Sequence, residues 1–404
     1  MARSVVNVEL QKCKGVIFLK LFFKRATCTV ALCTLFTFVF ATVAFAADGF
    51  IYYEGGLKEP VMLIEERMSG NILGDCIDEW NDTDTPIDFT EGNGDSYCIS
   101  GQWDDTWYGM YTPRDLEFIF FGRAGNFKIE LNRNMLVSES KTFWKSVLTH
   151  ELGHAVCLGD NPSSGNQSIM NYDRDRNYLT WPTSDDVDGV NDAYKKLNGE
   201  VFLMTKRKII NAPVVIIALV AALLIVFLKI SLTSTPMLQG DYPYYPDVQS
   251  ITDSADVIID GEGVTSGDVQ DLMVDRTPGK EDKEPKQYTL STVEVTEVIS
   301  GDVQVGDILT VKQIGDYKNL PEATLKETDG YLKAGQTELM FLASYENSPY
   351  SAVNPAQGTI EVLDGGELYS ASKYSLWGYN DTSTRSAGSV DTLTDAIAEI
   401  KDCL

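Results

Sequence analysis

Residues 149–160, THELGHAVCLGD, contain both histidines of the 404-residue chain. His150 and His154 are four residues apart, and Glu151 directly follows the first of them. On an α-helix, residues i and i+4 lie on the same face, so the two imidazoles can bind one metal ion. Glu151 then lies beside the metal, where its carboxylate can accept a proton from a metal-bound water. The pattern predicts a metal site on a helix, with Glu151 as general base.

The third metal ligand is less directly marked. A catalytic zinc needs three protein ligands and an open position. The chain has no third histidine, so the remaining ligand is a carboxylate, Cys157 or a less usual group. Gly159 is expected to end the helix and turn the chain, which would bring Asp160 back toward the metal. We therefore favour Asp160, with Cys157 as the alternative.

The segment from His150 to Asp160 resembles the long zinc signature of the metzincin metallopeptidases, His-Glu-x-x-His-x-x-Gly-x-x-His/Asp, and most closely that of bacterial matrixin-type enzymes. SIMNY, residues 168–172, resembles the methionine turn that lies under the metal in that clan. The resemblance covers about residues 55–197. It implies a catalytic domain of the α+β class, with a twisted sheet and an active-site helix.

The resemblance also implies residue roles. Zn2+ would be bound by His150, His154 and Asp160, with Glu151 as the general base. Met170 would pack under the metal as a hydrophobic floor. Tyr172 would stabilise the tetrahedral intermediate or form an aromatic wall of the substrate pocket.

The implied activity is zinc-dependent hydrolysis of peptide bonds in extracellular proteins, through a zinc-bound water that Glu151 activates. Protein or peptide substrates would lie extended along a sheet edge, where residues 127–132 are a candidate lining. A membrane-tethered binding or adhesion protein with an inactive metallopeptidase-like domain is the alternative function.

The cysteines raise two further questions. Cys157 stands where the signature has glycine, at a position that commonly needs a left-handed backbone and costs another residue about 1 kcal/mol. Cys76 and Cys98 could form a disulfide in an exported protein, and two free buried thiols are the alternative.

Two hydrophobic segments divide the chain. The first follows basic residues and ends in Ala44-Phe45-Ala46, which predicts a signal peptide over residues 1–46 and a mature chain from about Ala47. An uncleaved signal anchor is the alternative. The second, residues 209–230, is apolar enough and long enough, at roughly 30 Å, to predict a transmembrane helix. We therefore expect an exported, membrane-anchored protein at the cell surface or outside the cell.

The charges around the second segment conflict with that orientation. Lys206, Arg207 and Lys208 precede it and only Lys229 closely follows it, so the positive-inside rule would place the preceding side in the cytoplasm. The sequence from Met204 reads like the start of a separate exported protein, and we hypothesise that the chain joins two proteins near this residue.

The remaining patterns outline the domains. The catalytic domain is expected over residues 47–200, with one or more helical stretches over 59–80, strands at 115–122 and 127–132, and a further helix over 138–156. Residues 231–287 are rich in Asp, Gly, Ser and Pro and predict a linker or long loop. Residues 288–404 alternate between apolar and polar side chains, which predicts a small all-β barrel or sandwich as an accessory domain.

The net charge limits the partners. Acidic residues outnumber basic ones 59 to 33, for a formal charge of −26. A broad basic surface for nucleic acid is therefore not expected.

Overall fold

The computed structural model describes residues 56–117, 123–161, 168–205, 239–316, 332–370, 372, 374–378 and 392–404. Over these ranges, none of the helices combines the length and the apolar character that a membrane crossing requires. The predicted signal peptide, residues 1–46, and the predicted membrane helix, residues 209–230, both lie outside the described residues.

A six-stranded sheet carries the first region. Its strands are β1 (Val61–Arg67), β2 (Asp88–Glu91), β3 (Ser96–Gly101), β4 (Gly109–Glu117), β5 (Arg123–Asn132) and β6 (Gln239–Asp241). They lie in the order β2-β1-β3-β5-β4-β6. Strands β1, β2, β3 and β5 pair in parallel, whereas β4 is antiparallel to β5 and β6 is antiparallel to β4. One end of the sheet is thus antiparallel, and its last strand comes from more than 100 residues further along the chain.

Strand β5 is buried on both of its faces, because side chains alternate across a strand. Phe127, Ile129 and Leu131 belong to the core of the first region. Between them, Lys128 and Glu130 form ion pairs with Glu284 and Lys286 of the second region. The sheet therefore lies between its own helices and the C-terminal half of the chain.

The described residues include six helices, which are α1 (Leu73–Asn81), α2 (Arg133–Leu136), α3 (Lys141–Ala155), α4 (Ser184–Thr205), α5 (Val248–Ser254) and α6 (Leu393–Cys403). Helix α1 packs against α3, and the indole Nε1 of Trp80 donates a hydrogen bond of 3.0 Å to the carbonyl oxygen of Thr149. Trp80 is fully buried. This contact fixes the position of α3 close to its histidines.

A seven-stranded sheet forms the second region. Its strands are β7 (Val257–Leu272), β8 (Lys286–Ser300), β9 (Ile308–Ile314), β10 (Thr337–Ala343), β11 (Tyr350–Ala352), β12 (Thr359–Val362) and β13 (Leu368–Tyr369). Their order is β11-β9-β8-β7-β10-β12-β13, and an additional pairing of β11 with β10 joins five strands into a ring. Apolar residues of α5 and α6, among them Ile251, Ile397 and Ile400, pack into a core with Leu339 and Phe341.

The expected fold class is wrong. The described residues form a mixed α/β structure rather than a catalytic domain, a membrane helix and a separate all-β domain. Helices α5 and α6 contribute to the core of the second region, so that region is not all-β. The sheet of the first region includes β6, so the two halves of the chain share one sheet. The alternating pattern after residue 288 predicted strands but could not indicate the helices that cover them.

Individual elements also differ from expectation. One or more helical stretches were expected over 59–80, but residues 61–67 form a strand because they pair with β2 and β3, and the helix begins only at Leu73. The helix expected over 138–156 is confirmed by α3. Residues 231–287, expected to be a linker, include β6, α5 and β7 in their described part. Strand β7 is rich in Gly and Asp, which concealed its alternation of buried and exposed positions.

Candidate metal centre

Helix α3 carries the two histidines and has well-defined ends. The hydroxyl of Ser140 accepts a hydrogen bond of 3.1 Å from the backbone N–H of Phe143, which is an N-cap and lets the helix begin at Lys141. At the other end, the N–H of Leu158 donates to the carbonyl of Gly153 at 3.0 Å, and that of Cys157 donates to His154 at 3.1 Å. This pair of bonds is a Schellman motif.

Cys157 occupies the left-handed position of that motif. Its φ is 77°, as expected for the place where the signature has glycine. The thiol is buried. Its sulfur accepts a hydrogen bond from the Arg123 guanidinium and lies 3.5 Å from the carbonyl oxygen of Leu57. Its sulfur is not part of the cluster of metal-ligating groups found among the described residues. The turn at Cys157 ends α3 and sends the chain back toward the histidines.

The structure brings His150, His154 and Asp160 together. One potential ligand atom from each lies within 4.8 Å of the others. Nε2 of His150 is 3.3 Å from Oδ1 of Asp160, and Nε2 of His154 is 3.8 Å from the same oxygen. Both histidines are fully buried and Asp160 is partly buried. Two nitrogens and one carboxylate oxygen are a donor set that suits zinc.

Backbone carbonyls orient both imidazoles. Nδ1 of His150 lies 2.9 Å from the carbonyl oxygen of Ile169, and Nδ1 of His154 lies 2.8 Å from that of Leu158. A carbonyl can only accept, so each Nδ1 carries the proton and each Nε2 carries the lone pair. Burial lowers the pKa of His154 to about 4, so this ring is neutral at pH 7. Neutral imidazole with its other nitrogen bonded to a carbonyl is the form that binds metals.

A second observation supports a metal ion at this site. Nε2 of His150 and Oδ1 of Asp160 are buried, and neither finds a properly aligned hydrogen bond within the described part of the chain. Buried polar atoms normally have a partner, and a metal ion bound by this nitrogen and this oxygen would supply one. The other oxygen of Asp160, Oδ2, accepts a hydrogen bond of 2.7 Å from the Tyr172 hydroxyl.

Glu151 is fully buried beside this group. Its Oε1 accepts a hydrogen bond of 3.2 Å from the backbone N–H of Asp241 in β6. Its Oε2 is buried and has no hydrogen-bond partner among the described residues. Burial raises the pKa of Glu151 well above its ordinary value, and the negative charges of Asp241 and Asp160 raise it further. The side chain is therefore able to hold a proton next to a backbone amide.

Met170 lies directly against α3. It is buried, and a Cβ added to Gly153 would come within 2.2 Å of its sulfur. The glycine of HELGH thus makes room for the methionine. The same Cβ would lie 3.4 Å from the Trp80 indole, so both side chains pack at Gly153. The N–H of Asn161 donates to the carbonyl of Met170 at 2.9 Å, which ties the methionine turn to the loop that carries Asp160.

Asp186 supports the methionine turn and was not among the predicted site residues. Its buried carboxylate accepts hydrogen bonds from the Ser168 hydroxyl at 2.5 Å and from the Ile169 N–H at 3.0 Å. It also accepts from the backbone and hydroxyl of Thr183, at 2.8 and 2.9 Å, at the start of α4. An acidic residue in the first turn of a helix was the available signal. It indicated a helix start, but not a link to the metal site.

Arg174, Arg176 and Asp241 were also missed. The two arginines and the aspartate are buried together next to Glu151. The sequence DRDR after the methionine turn was the one local signal. Asp241 gave none, since it lies 65 residues or more from the arginines.

Cys76 and Cys98 are not bridged to each other. Cys76 and Cys98 are buried free thiols in the structure. Burial raises the pKa of Cys76 to about 12 and that of Cys98 well above its ordinary value. Both are therefore protonated and packed in the core of the first region.

A scan of protein-family models and a search of curated proteins both find no match to this sequence.

Proposed function

We propose that this protein is a zinc-dependent endopeptidase of the metzincin type, acting on proteins or peptides outside the cell. The observation that carries the proposal is the group of His150, His154 and Asp160 with Glu151 on the same helix. A chance HExxH sequence on a surface helix would leave its histidines exposed, whereas here both are buried and bonded through Nδ1 to carbonyls.

His150, His154 and Asp160 are the residues that would hold the zinc. When bound there, Zn2+ would lower the pKa of a bound water to about 7 and polarise a peptide carbonyl. Tyr172 is a positioning residue, because its hydroxyl donates to Oδ2 of Asp160 and so fixes which oxygen faces the histidines. Met170 packs against Gly153 and gives this side of α3 an apolar covering.

Glu151 is the catalytic acid and base. Its buried carboxylate takes a proton from the attacking water and delivers it to the nitrogen of the departing peptide. The contact between its Oε1 and the N–H of Asp241 supports this role, because it puts the carboxylate within hydrogen-bonding distance of a peptide nitrogen. The peptide nitrogen in question belongs to an extended strand added to β4, which is how substrates commonly bind at a sheet edge.

The test measures metal content and cleavage on the purified full-length chain. The variants are Glu151→Gln, His150→Asn and Asp241→Asn, which weakens the ion pairs that hold β6 beside the site. The exposed Glu91→Gln is the control for the change of charge. We expect one zinc per wild-type chain, the same in Glu151→Gln and Glu91→Gln, and at least tenfold weaker zinc binding in His150→Asn. Fragments of casein and of the chain itself are identified by mass spectrometry. These fragments should form with the wild type or with the Asp241→Asn variant. Glu151→Gln should abolish them in either chain.

Two results would overturn the proposal. A folded wild-type chain that binds no zinc would show that the three side chains are not a metal site. Zinc binding without cleavage, in the wild type and in Asp241→Asn, would instead support the alternative of a binding or adhesion protein.

A further inference from the structure

Strand β6 occupies the edge of the sheet beside the candidate metal centre. Its residues pair antiparallel with β4, with Asp241 opposite Gly109 and Gly240 opposite Met110. The N–H of Tyr108 donates to the carbonyl of Asp241 at 2.7 Å. Without β6, strand β4 would present unpaired backbone groups, which is the arrangement that accepts an extended peptide. The chain therefore places its own residues where a peptide substrate would bind.

The backbone of Asp241 identifies its position relative to the reaction. Its N–H donates to Oε1 of Glu151. On the proposed function, Glu151 protonates the nitrogen of the departing peptide, which belongs to the residue directly after the cleaved bond. Asp241 thus corresponds to that residue, and the bond aligned for cleavage is Gly240–Asp241.

Two arginines receive the side chain of Asp241. Nη2 of Arg174 is 2.5 Å from Oδ2, and Nη2 of Arg176 is 2.5 Å from Oδ1. A third contact joins Nε of Arg176 to Oδ2 at 3.2 Å, and a fourth joins Nη1 of Arg174 to Oδ1 at 3.3 Å. Burial opposes ionisation of Asp241, but the charges of the arginines outweigh it and hold the pKa of Asp241 well below its ordinary value. The pocket is therefore complementary to a carboxylate.

Arg174 is held by the first region, whereas the hydrogen bonds of Arg176 go to Asp241 and, at 2.9 Å, to the carbonyl oxygen of Tyr242. Nε of Arg174 donates to the Ser146 hydroxyl at 3.1 Å, and its Nη1 donates to the carbonyl of Asn171 at 2.8 Å. The guanidinium of Arg176 lies 5.3 Å from the centre of the Tyr108 ring. Two buried cations side by side are costly unless an anion joins them. A pocket of this kind, next to Glu151, requires an acidic occupant.

We propose that Arg174 and Arg176 form the specificity pocket for a carboxylate side chain directly after the cleaved bond, so that the substrates are peptides with aspartate at that position. The proposal rests on the proposed function. Residues 239–241 are the chain's own occupant of the pocket, and they compete with other peptides for it. An ordinary buried ion pair that only joins two parts of the chain would show no such selectivity for added peptides.

The chemistry of the step is simple hydrolysis. Water adds its oxygen to the carbonyl carbon of the residue before the aspartate, and the C–N bond breaks. The electron pair of that bond stays on the aspartate nitrogen, which takes its proton from Glu151. The products are a new carboxylate and a new amino group, and no further reactant is needed.

The test uses two labelled peptides that copy residues 238–244, one with the sequence LQGDYPY and one with asparagine in place of aspartate. Their binding is measured by fluorescence anisotropy on the full-length, zinc-loaded chain that carries Asp241→Asn and Glu151→Gln. The first change weakens the chain's own occupant, and the second prevents cleavage. We expect the aspartate peptide to bind at least about tenfold more tightly. Adding Arg176→Gln should reduce this preference to about twofold or less, whereas the exposed Arg133→Gln should leave it unchanged.

Equal binding of the two peptides would overturn the proposal, and so would a preference that survives Arg176→Gln. If Asp241→Asn does not fold, Gly240→Val replaces it. A Cβ at Gly240 would meet Met110 at 3.0 Å and Tyr242 at 3.1 Å, so a larger side chain weakens the pairing of β6 without altering the arginines. The binding readout does not depend on hydrolysis. Failure of the pocket is therefore distinguishable from failure of the peptidase, which the casein and metal measurements report.

Discussion

Gly153→Ala should destabilise the wild-type chain but stabilise a chain that carries Met170→Ala. The Cβ of Gly153→Ala would lie 2.2 Å from the Met170 sulfur and 3.1 Å from its Cε. Both residues are buried, so the methionine has to move within a packed core. A contact this short takes the cost of overpacking to about 2–3 kcal/mol, the upper part of its usual range, and the better helix propensity of alanine returns about 1 kcal/mol. We expect Gly153→Ala alone to lower the free energy of unfolding by about 1–2 kcal/mol.

The same substitution should stabilise a chain that lacks the methionine side chain. Met170→Ala alone is expected to cost about 2–5 kcal/mol, because it leaves a cavity against α3. In that background the alanine at residue 153 meets no sulfur, fills part of the cavity and keeps its helix propensity. Gly153→Ala should then raise the free energy of unfolding by about 1 kcal/mol, which makes the coupling between the two sites about 2–3 kcal/mol.

Guanidinium unfolding of the four full-length chains measures this coupling. A chelator is present throughout, because bound metal would add stability that depends on its affinity for each variant. Additive effects, with Gly153→Ala equally destabilising in both backgrounds, would refute the idea that the glycine is there to admit the methionine.

Three further outcomes are expected. Cys157→Gly should be about 1 kcal/mol more stable than Cys157→Ala in guanidinium unfolding, because the φ of 77° strains a residue with a Cβ. Both variants lose the thiol, so the comparison isolates the backbone. The reverse order would exclude strain at this turn. Tyr172→Phe should weaken zinc binding by about 10–100-fold in a chelator competition, because Oδ2 of Asp160 loses a hydrogen bond of 2.7 Å. Unchanged affinity would show that the tyrosine does not position this ligand. Asp186→Ala should lower the free energy of unfolding by about 2–4 kcal/mol, since it removes four hydrogen bonds to a buried carboxylate, and a loss below about 1 kcal/mol would contradict that count.

The local parts of the site could be predicted from the sequence. The spacing of His150, Glu151 and His154 needs only a helix to bring them to one face, and α3 provides it. A turn after the helix was predictable, but its expected place at Gly159 was wrong, because α3 ends at Ala155 and the left-handed residue is Cys157, where the signature has glycine. Asp160 follows within three residues of that turn. Each of these features depends on contacts between near neighbours in the chain.

The missed residues depend on contacts between distant parts of the chain. Asp241 reaches Glu151 across 90 residues, and no periodicity or motif near residue 241 announces it. Arg174 and Arg176 are basic residues in a chain of net charge −26, where isolated arginines normally lie on the surface. Their burial requires the carboxylate that only the folded chain supplies. The strand at 61–67 was missed for the same reason, since its pairing with β2 and β3 overrides a helical spacing of apolar residues.

Gly109 links the helix, the sheet edge and the occupant of the cleft. It pairs with Asp241, and a Cβ at this residue would lie 2.6 Å from Oε1 of Glu151 and 2.7 Å from Val147. A side chain there would push the carboxylate away from the added strand, so only glycine lets Glu151 reach a backbone N–H across β4. The absence of a side chain on one strand therefore sets the distance of 3.2 Å between the proposed acid and the peptide nitrogen. On the proposed function, Glu151 acts on the backbone nitrogen of one residue of a bound peptide, and the arginine pocket acts on the side chain of the same residue.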